Sequence, residues 1–226
     1  MMDNTGTPAE RAYRFIIPPG WVRIDLRSPV GPQVTQFVDL LVSQAPRGPR
    51  YSEIRASALA QFTRVTREAI ENDVLDLVLP VTLVGGRLMS ASWAFLPLVT
   101  PEGSDPLELL AAIASRDDSA SLLDVGDLVA LRITSRAQRS AELLQTAVAR
   151  VAADLNEPAP EVVDFDQAAV WTQRVQYFIG DPQRRDSWII VVFSASDSGD
   201  TESAELSQAL VELFDEVIQS VRFPDA

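Results

Sequence analysis

Without cysteine or histidine, a calcium- or magnesium-type site in this chain would have to be built from oxygen ligands. Cysteine, histidine and lysine are absent and all 19 basic residues are arginine, so the thiolate, the near-neutral imidazole and the Schiff-base amine are missing. Two acidic clusters have a spacing worth testing: Asp164 with Asp166, and Asp197, Asp200 and Glu202. All-oxygen sites favour calcium or magnesium, yet neither cluster has the EF-hand spacing or its closing bidentate glutamate. The second reads as a turn plus helix cap, and the first as the exposed side of a strand. Arg184-Arg185 beside Trp188 could grip an anion or carboxylate through the planar guanidinium fork, although a solvated hairpin loop explains them as well.

The remaining catalytic patterns fail on inspection. Gly85-Gly86-Arg87 lacks the lysine and the following hydroxyl of a phosphate loop, and there is no Gly-x-Ser-x-Gly elbow. A serine or threonine nucleophile would have to use a carboxylate or the chain's own amine as base. Paired carboxylates for glycoside hydrolysis have no sequence signature, because spacing along the chain does not set the ~5–9 Å that such chemistry needs. The sequence therefore predicts no catalytic, cofactor-binding or metal site and no enzymatic activity. A hydrolase using calcium or magnesium on oxygen ligands alone is the one enzymatic form it leaves open.

Composition points the same way. At 226 residues and 46% hydrophobic, the chain can bury a core without disulfides or a structural metal. Its net charge is −13, unevenly spread: residues 1–150 carry 17 acids against 15 arginines, residues 151–226 carry 15 against 4. Such acidity repels nucleic acid and anionic lipid unless arginines gather on one face. No window has the apolar length to cross a bilayer, and the polar start lacks the apolar core of a secretory signal, which predicts a cytoplasmic protein. Arginine in place of every lysine fits a GC-rich genome.

The chain is organised around Phe15-Ile16-Ile17-Pro18-Pro19-Gly20-Trp21-Val22-Arg23-Ile24. The prolines force extension and glycine permits a bend, which predicts two edge-compatible strands hinged at Pro-Pro-Gly, with Trp21 the first large side chain to enter the core. Residues 1–10 read as a frayed tail and 11–226 as a single domain. A helix is expected over Gln33–Gln44 on the stripe Val34, Phe37, Val38, Leu41 and Ala45. A longer one should run over Arg50–Asn72 on Tyr51, Ile54, Ala58, Phe62, Val65 and Ala69. Its charges, Glu53, Arg55, Arg64, Arg67 and Glu68, form a solvated face or a contact surface for an acidic partner.

Val74–Val84 and Leu88–Leu96 flank Gly85-Gly86, a hairpin signal. Pro80 argues that the first strand is at an edge or bulged. Trp93 and Phe95 share one face, with Ser92 and Ala94 on the other; the aromatics are core or an exposed patch for a protein partner. Asp105-Pro106 reads as a cap opening a short helix with Leu107, Leu110, Ala111 and Ala114. A second hairpin turns at Gly126-Asp127 between Leu122–Val125 and Leu128–Thr134, and Gln138–Leu155 should be helical. Asn156–Pro160 is a break.

Beyond it, Val170–Ile179 alternates as a strand. Trp188–Phe193 is continuously apolar, which predicts a central strand covered on both faces. Asp200 or Thr201 should cap a last helix whose stripe is Leu206, Leu210, Leu213, Val217 and Val221, widened by Phe214 and Ile218. The fold class is thus α+β, an antiparallel sheet flanked by helices in α/β/α layers.

The opening strand with Pro18-Pro19-Gly20-Trp21, the helix and hairpins that follow, and a closing amphipathic helix finishing in Ser220-Val221-Arg222-Phe223 resemble the PsbP-like superfamily. That group holds an extrinsic photosystem subunit, a Ran-binding import factor, bacterial lipoproteins and chaperones of type VI secretion effectors. The resemblance implies an antiparallel sheet between helices and a protein-binding role, and it carries no functional residue over. Residues 99–160 depart from it as an insertion or subdomain. With the missing residue types, it predicts a non-enzymatic cytoplasmic module that binds a protein partner, a chaperone or adaptor for a secreted effector, through one face or edge of its sheet. The alternative is an immunity or antitoxin protein covering a basic toxin site.

Overall fold

The computed structural model describes residues 13–44, 48–84, 87–99, 105–126, 128–139, 149, 153, 170–181 and 188–224. The strands are β1 (Trp21–Asp25), β2 (Asp76–Pro80), β3 (Leu83–Val84), β4 (Arg87–Leu88), β5 (Ala91–Pro97), β6 (Ser121–Val125), β7 (Leu128–Arg139), β8 (Val170–Gly180) and β9 (Trp188–Asp197). The helices are α1 (Val30–Ser43), α2 (Tyr51–Glu71), α3 (Pro106–Ala114) and α4 (Thr201–Ile218). Seven strands form one antiparallel sheet in the order β1-β2-β5-β9-β8-β7-β6, and β3-β4 is a separate small ladder. The sheet is open, with β1 and β6 at its edges.

β9 lies at the middle of that order, as its apolar run requires. Ile189, Val191, Phe193 and Ala195 point to one face and are buried under α4, whose Leu210, Val211, Phe214, Val217 and Ile218 join the same core. Trp188 and Ile190 point to the other face and pack with Leu110 and Ile113 of α3. Phe214 is the centre of the first contact, with its ring 5.0 Å from Phe193, 5.6 Å from Tyr177 and 5.7 Å from Trp93. The opposite face is covered beside α3 by the α1–α2 pair, which packs Val34, Phe37, Val38 and Phe62 over Ile24 and Leu77. The result is three layers: α4, the sheet, then α1, α2 and α3.

Several elements differ from the sequence reading. Gly20 makes the bend at φ +83°, and Trp21 is buried at the start of an edge strand. The arm before it is not a strand: Arg14 forms a lone antiparallel bridge with Arg222, and among the described residues Tyr13 enters the core ahead of Trp21. Pro80 ends β2, a second strand rather than an edge, where the partner β5 has already stopped pairing at Val78. The α2 stripe is rotated: Tyr51, Ala58, Phe62 and Ala69 pack inward, but Ile54 and Val65 are exposed. The α4 stripe is likewise centred on Phe214 and Ile218, which leaves Leu206 exposed and Leu213 half-buried. β7 continues to Arg139, through the expected start of the following helix; in the rest of that segment Ala149 and Ala153 are described and are helical, while its other residues, with Ala45, Gly85, Gly86 and the Asn156–Pro160 break, lie outside the described residues. Within 99–160, the β6–β7 hairpin extends the main sheet through β8.

Other readings hold. Trp93 and Phe95 are core. Asp105 caps α3, its carboxylate accepting from the Leu107 N–H at 2.8 Å, with Pro106 in the first helical turn. Asp200 caps α4 through the Ser203 N–H at 2.9 Å.

Both edges carry the same polar device. At β1, Gln33 of α1 accepts from the Asp25 N–H and donates to the Asp25 carbonyl, both at 2.9 Å. At β6, Gln219 after α4 donates to the Asp124 carbonyl at 3.0 Å and accepts from the Gly126 N–H at 3.4 Å. Each carboxamide stands where the peptide group of an added strand would hydrogen-bond, which blunts the edge against strand addition.

The rotated α4 stripe separates two large-to-small outcomes. Phe214→Ala should cost about 3–5 kcal/mol as a cavity between three aromatic rings. Leu206→Ala should stay within ~0.5 kcal/mol as a surface change. Urea unfolding of both variants checks the assignment.

Candidate binding surface

The two faces of the sheet treat arginine differently. On the α4 face, three arginines each meet an aspartate and an aromatic ring. Asp76 is fully buried at the start of β2 and accepts two hydrogen bonds from Arg23, Nε at 2.6 Å and Nη2 at 2.5 Å, plus one from the Tyr13 hydroxyl. Arg27 stands 3.5 Å from the same carboxylate, and the Arg23 guanidinium lies 5.0 Å from the Phe15 ring centre. Arg132 of β7 forks onto Asp215 of α4 at 3.0 and 3.2 Å, where the Tyr177 hydroxyl also donates at 2.9 Å. Arg136, four residues further along β7 on the same face, reaches the buried Asp197 at 3.1 Å and covers Trp171 at 5.0 Å.

These networks join distant parts of the chain and leave their carboxylates occupied. Burial first, then the charge of Asp76 and its hydrogen bond, push the Tyr13 hydroxyl well above the ordinary phenol range. Burial and Asp215 raise Tyr177 in the same way. Burial pulls the Arg23 guanidinium down, but the hydrogen bonds and charge of Asp76 outweigh it and hold Arg23 above its usual value. A buried carboxylate bound so fully by cations is a clamp, and has no lone pair directed at a substrate.

The other face is polar in its central part. Ser92 of β5, Ser194 and Ser196 of β9, and Thr172 and Arg174 of β8 lie on it, with Arg174 directly across from Ser194 and Thr172 across from Ser196. Arg139, at the end of β7, donates from Nε to the Thr172 hydroxyl at 3.1 Å, and that hydroxyl is 3.4 Å from Ser196 Oγ. A groove of about 250 Å³ runs between this patch and the α1–α2 pair. Its polar wall is Ser90, Ser92, Ser194, Ser196 and Arg139, and its apolar wall includes Phe37, Phe62, Leu79 and Met89. Phe37 and Phe62 meet edge-on at 4.6 Å to form that wall.

The residues singled out from sequence are dispersed. Asp197 is spent on Arg136 and on the Gly199 N–H, while Asp200 accepts from Ser198 and Ser203 and is held below the usual carboxylate range by those hydrogen bonds. Glu202 is exposed in the first turn of α4. Among the described residues, no three acidic groups converge as a cation site. Asp164, Asp166, Arg184 and Arg185 lie outside those residues, and Trp188 is half-buried against the α3 side with its ring over Gly180. The groove was not foreseen as a site, although strand alternation does place Ser92, Thr172 and Arg174 opposite the core positions. What the alternation lacks is the pairing that brings three separate strands together.

No helix among the described residues is long and apolar enough to cross a membrane. Comparison with family models, with curated proteins and with solved structures returns no match.

The raised tyrosines give a pH signature with a definite sign. An unfolded phenol ionises near pH 10, whereas folded Tyr13 and Tyr177 hold their protons beyond it. Above pH 10 the native state then binds more protons than the unfolded one, so the stability they contribute is complete below pH 10 and is lost as pH rises further. Of the three tyrosines, two should show delayed phenolate absorbance that appears together with unfolding. Tyr13→Phe and Tyr177→Phe should each remove one delayed step.

Proposed function

We propose that this chain is a non-enzymatic, cytoplasmic protein-binding module that holds a segment of another polypeptide on its α1–α2 side, as a chaperone or adaptor does. The observation that carries the reading is the packing of α2. Of its 21 residues Thr66 alone is fully buried, while Ile54, Val65 and Ile70 are 50%, 42% and 46% exposed, and Leu40 of α1 is 41% exposed. A long helix that keeps branched apolar side chains in water is a surface with binding energy left to give, at about 25 cal/mol per Å² of apolar area covered. Glutamine caps on both edges argue for a face over an edge. The resemblance to the PsbP-like superfamily, with its effector chaperones, supports the same role.

A second reading rests on a different surface. Glu202, Glu205, Glu212 and Glu216 are exposed along α4 and form an acidic ridge that would suit an immunity protein covering a basic toxin site. Salt separates the two, since association at an acidic ridge slows as ionic strength rises and an apolar contact barely responds.

The test is capture from the native host followed by reconstitution with the purified partner. The wild-type chain should retain one partner at 0.5 M salt, and Ile54→Asp/Val65→Asp should lose it by tenfold or more at unchanged melting temperature. A partner bound equally by the variant, or one released by salt alone, contradicts the α2 reading.

A further inference from the structure

We infer that the groove between the α1–α2 pair and the sheet captures the C-terminal residue of a polypeptide, its free carboxylate on Arg139 and its apolar side chain against Phe37, Phe62, Leu79 and Met89. The inference rests on the protein-binding reading above and supplies the chemistry of what is bound.

Charge is the first argument. In a chain of net charge −13, the arginines of the α4 face are neutralised by aspartates. Arg139 and Arg174 lie on the opposite face and have no carboxylate partner among the described residues; Arg139 has the Thr172 hydroxyl and Arg174 faces Ser194 across the strand pair. Geometry is the second. A guanidinium has five N–H donors in a fixed plane, and anchoring Nε on Thr172 leaves the two terminal nitrogens as a fork that matches the two oxygens of a carboxylate. Thr172, itself 3.4 Å from the Ser196 hydroxyl, holds that fork by its Nε, which reduces the side-chain freedom lost when an anion arrives.

Size is the third. At about 250 Å³ the groove falls below the ~300–1,000 Å³ of pockets that enclose drug-sized ligands, and suits one large side chain with its carboxylate. Its amphipathic lining demands both properties in one ligand. The apolar wall alone would accept any hydrophobic residue, and the arginine alone any anion. A chain terminus ending in leucine, methionine or phenylalanine has both on adjacent atoms, and the open shape of the groove lets the preceding residues leave toward α2.

The test uses the purified chain and three probes: acetyl-Gly-Ser-Ala-Leu with a free carboxylate, the same peptide as its C-terminal amide, and 4-methylpentanoate. Chemical shift titration should move the amides of Met89, Ser92, Thr172, Ser194 and Ser196 for the free peptide. The amide should bind about tenfold or more weakly, the typical loss of one charge-assisted pair. Arg139→Gln should erase the difference between the two peptides while leaving the melting temperature unchanged. Thr172→Val, which releases the fork without removing its charge, should weaken the free peptide alone.

Equal binding of acid and amide, or no shift at these amides up to 10 mM peptide on the order of weak single-residue contacts, overturns the inference. So does 4-methylpentanoate binding as tightly as the peptide, which would make the ligand a free acid. A native partner captured undiminished by Arg139→Gln overturns it while leaving the protein-binding reading in place.

Discussion

Packing of α4 onto the central strand is the contact on which the rest of this structure depends. Phe214 is seated among Phe193, Tyr177 and Trp93, side chains from three adjacent strands, so one ring ties β5, β9 and β8 to the closing helix. That face is sealed by α4; on the other side β9 is apolar at Trp188, Ile190 and Val192, and α3 packs against the first two. The serines that follow in β9 need no such cover. They leave a polar strip on the sheet with α1 and α2 beside it.

Charge follows the same division. Where arginines border the sealed core, burial makes an unpaired cation costly, and each is matched to an aspartate and an aromatic ring. Where the sheet is polar, Arg139 and Arg174 are exposed and water serves in place of a counter-ion.

Much of this was legible in the residues. The continuous apolar run Trp188–Phe193 announced a central strand, Asp105-Pro106 and Asp200 announced helix starts, and Gly126 announced a hairpin, since each is a local consequence of backbone sterics or capping. The errors came where helical periodicity alone had to choose a face. On α2 and α4 the apolar positions span more than one stripe, and tertiary packing selected Phe62 over Val65 and Phe214 over Leu206. The Arg–Asp clamps were illegible for another reason. Arg23 and Asp76 are 53 residues apart, Arg132 and Asp215 83 apart, and no spacing rule joins such pairs until strand order is known. The groove has the same origin, with its polar wall chiefly from strands β5, β9 and β7 and its apolar wall from α1, α2, the end of β2 and the segment before β5.

Two mechanical units therefore share one sheet: a plate sealed by α4, and α2, which packs on α1 with a single fully buried side chain. Native-state hydrogen exchange measures that division most directly. The account predicts that the amides of Ile189, Val191 and Phe193 exchange together with those around Phe214, through global unfolding alone, while the amides of α2 open earlier and independently. Exchange in which α2 is protected as strongly as β9, or in which α4 opens before α2, would contradict it.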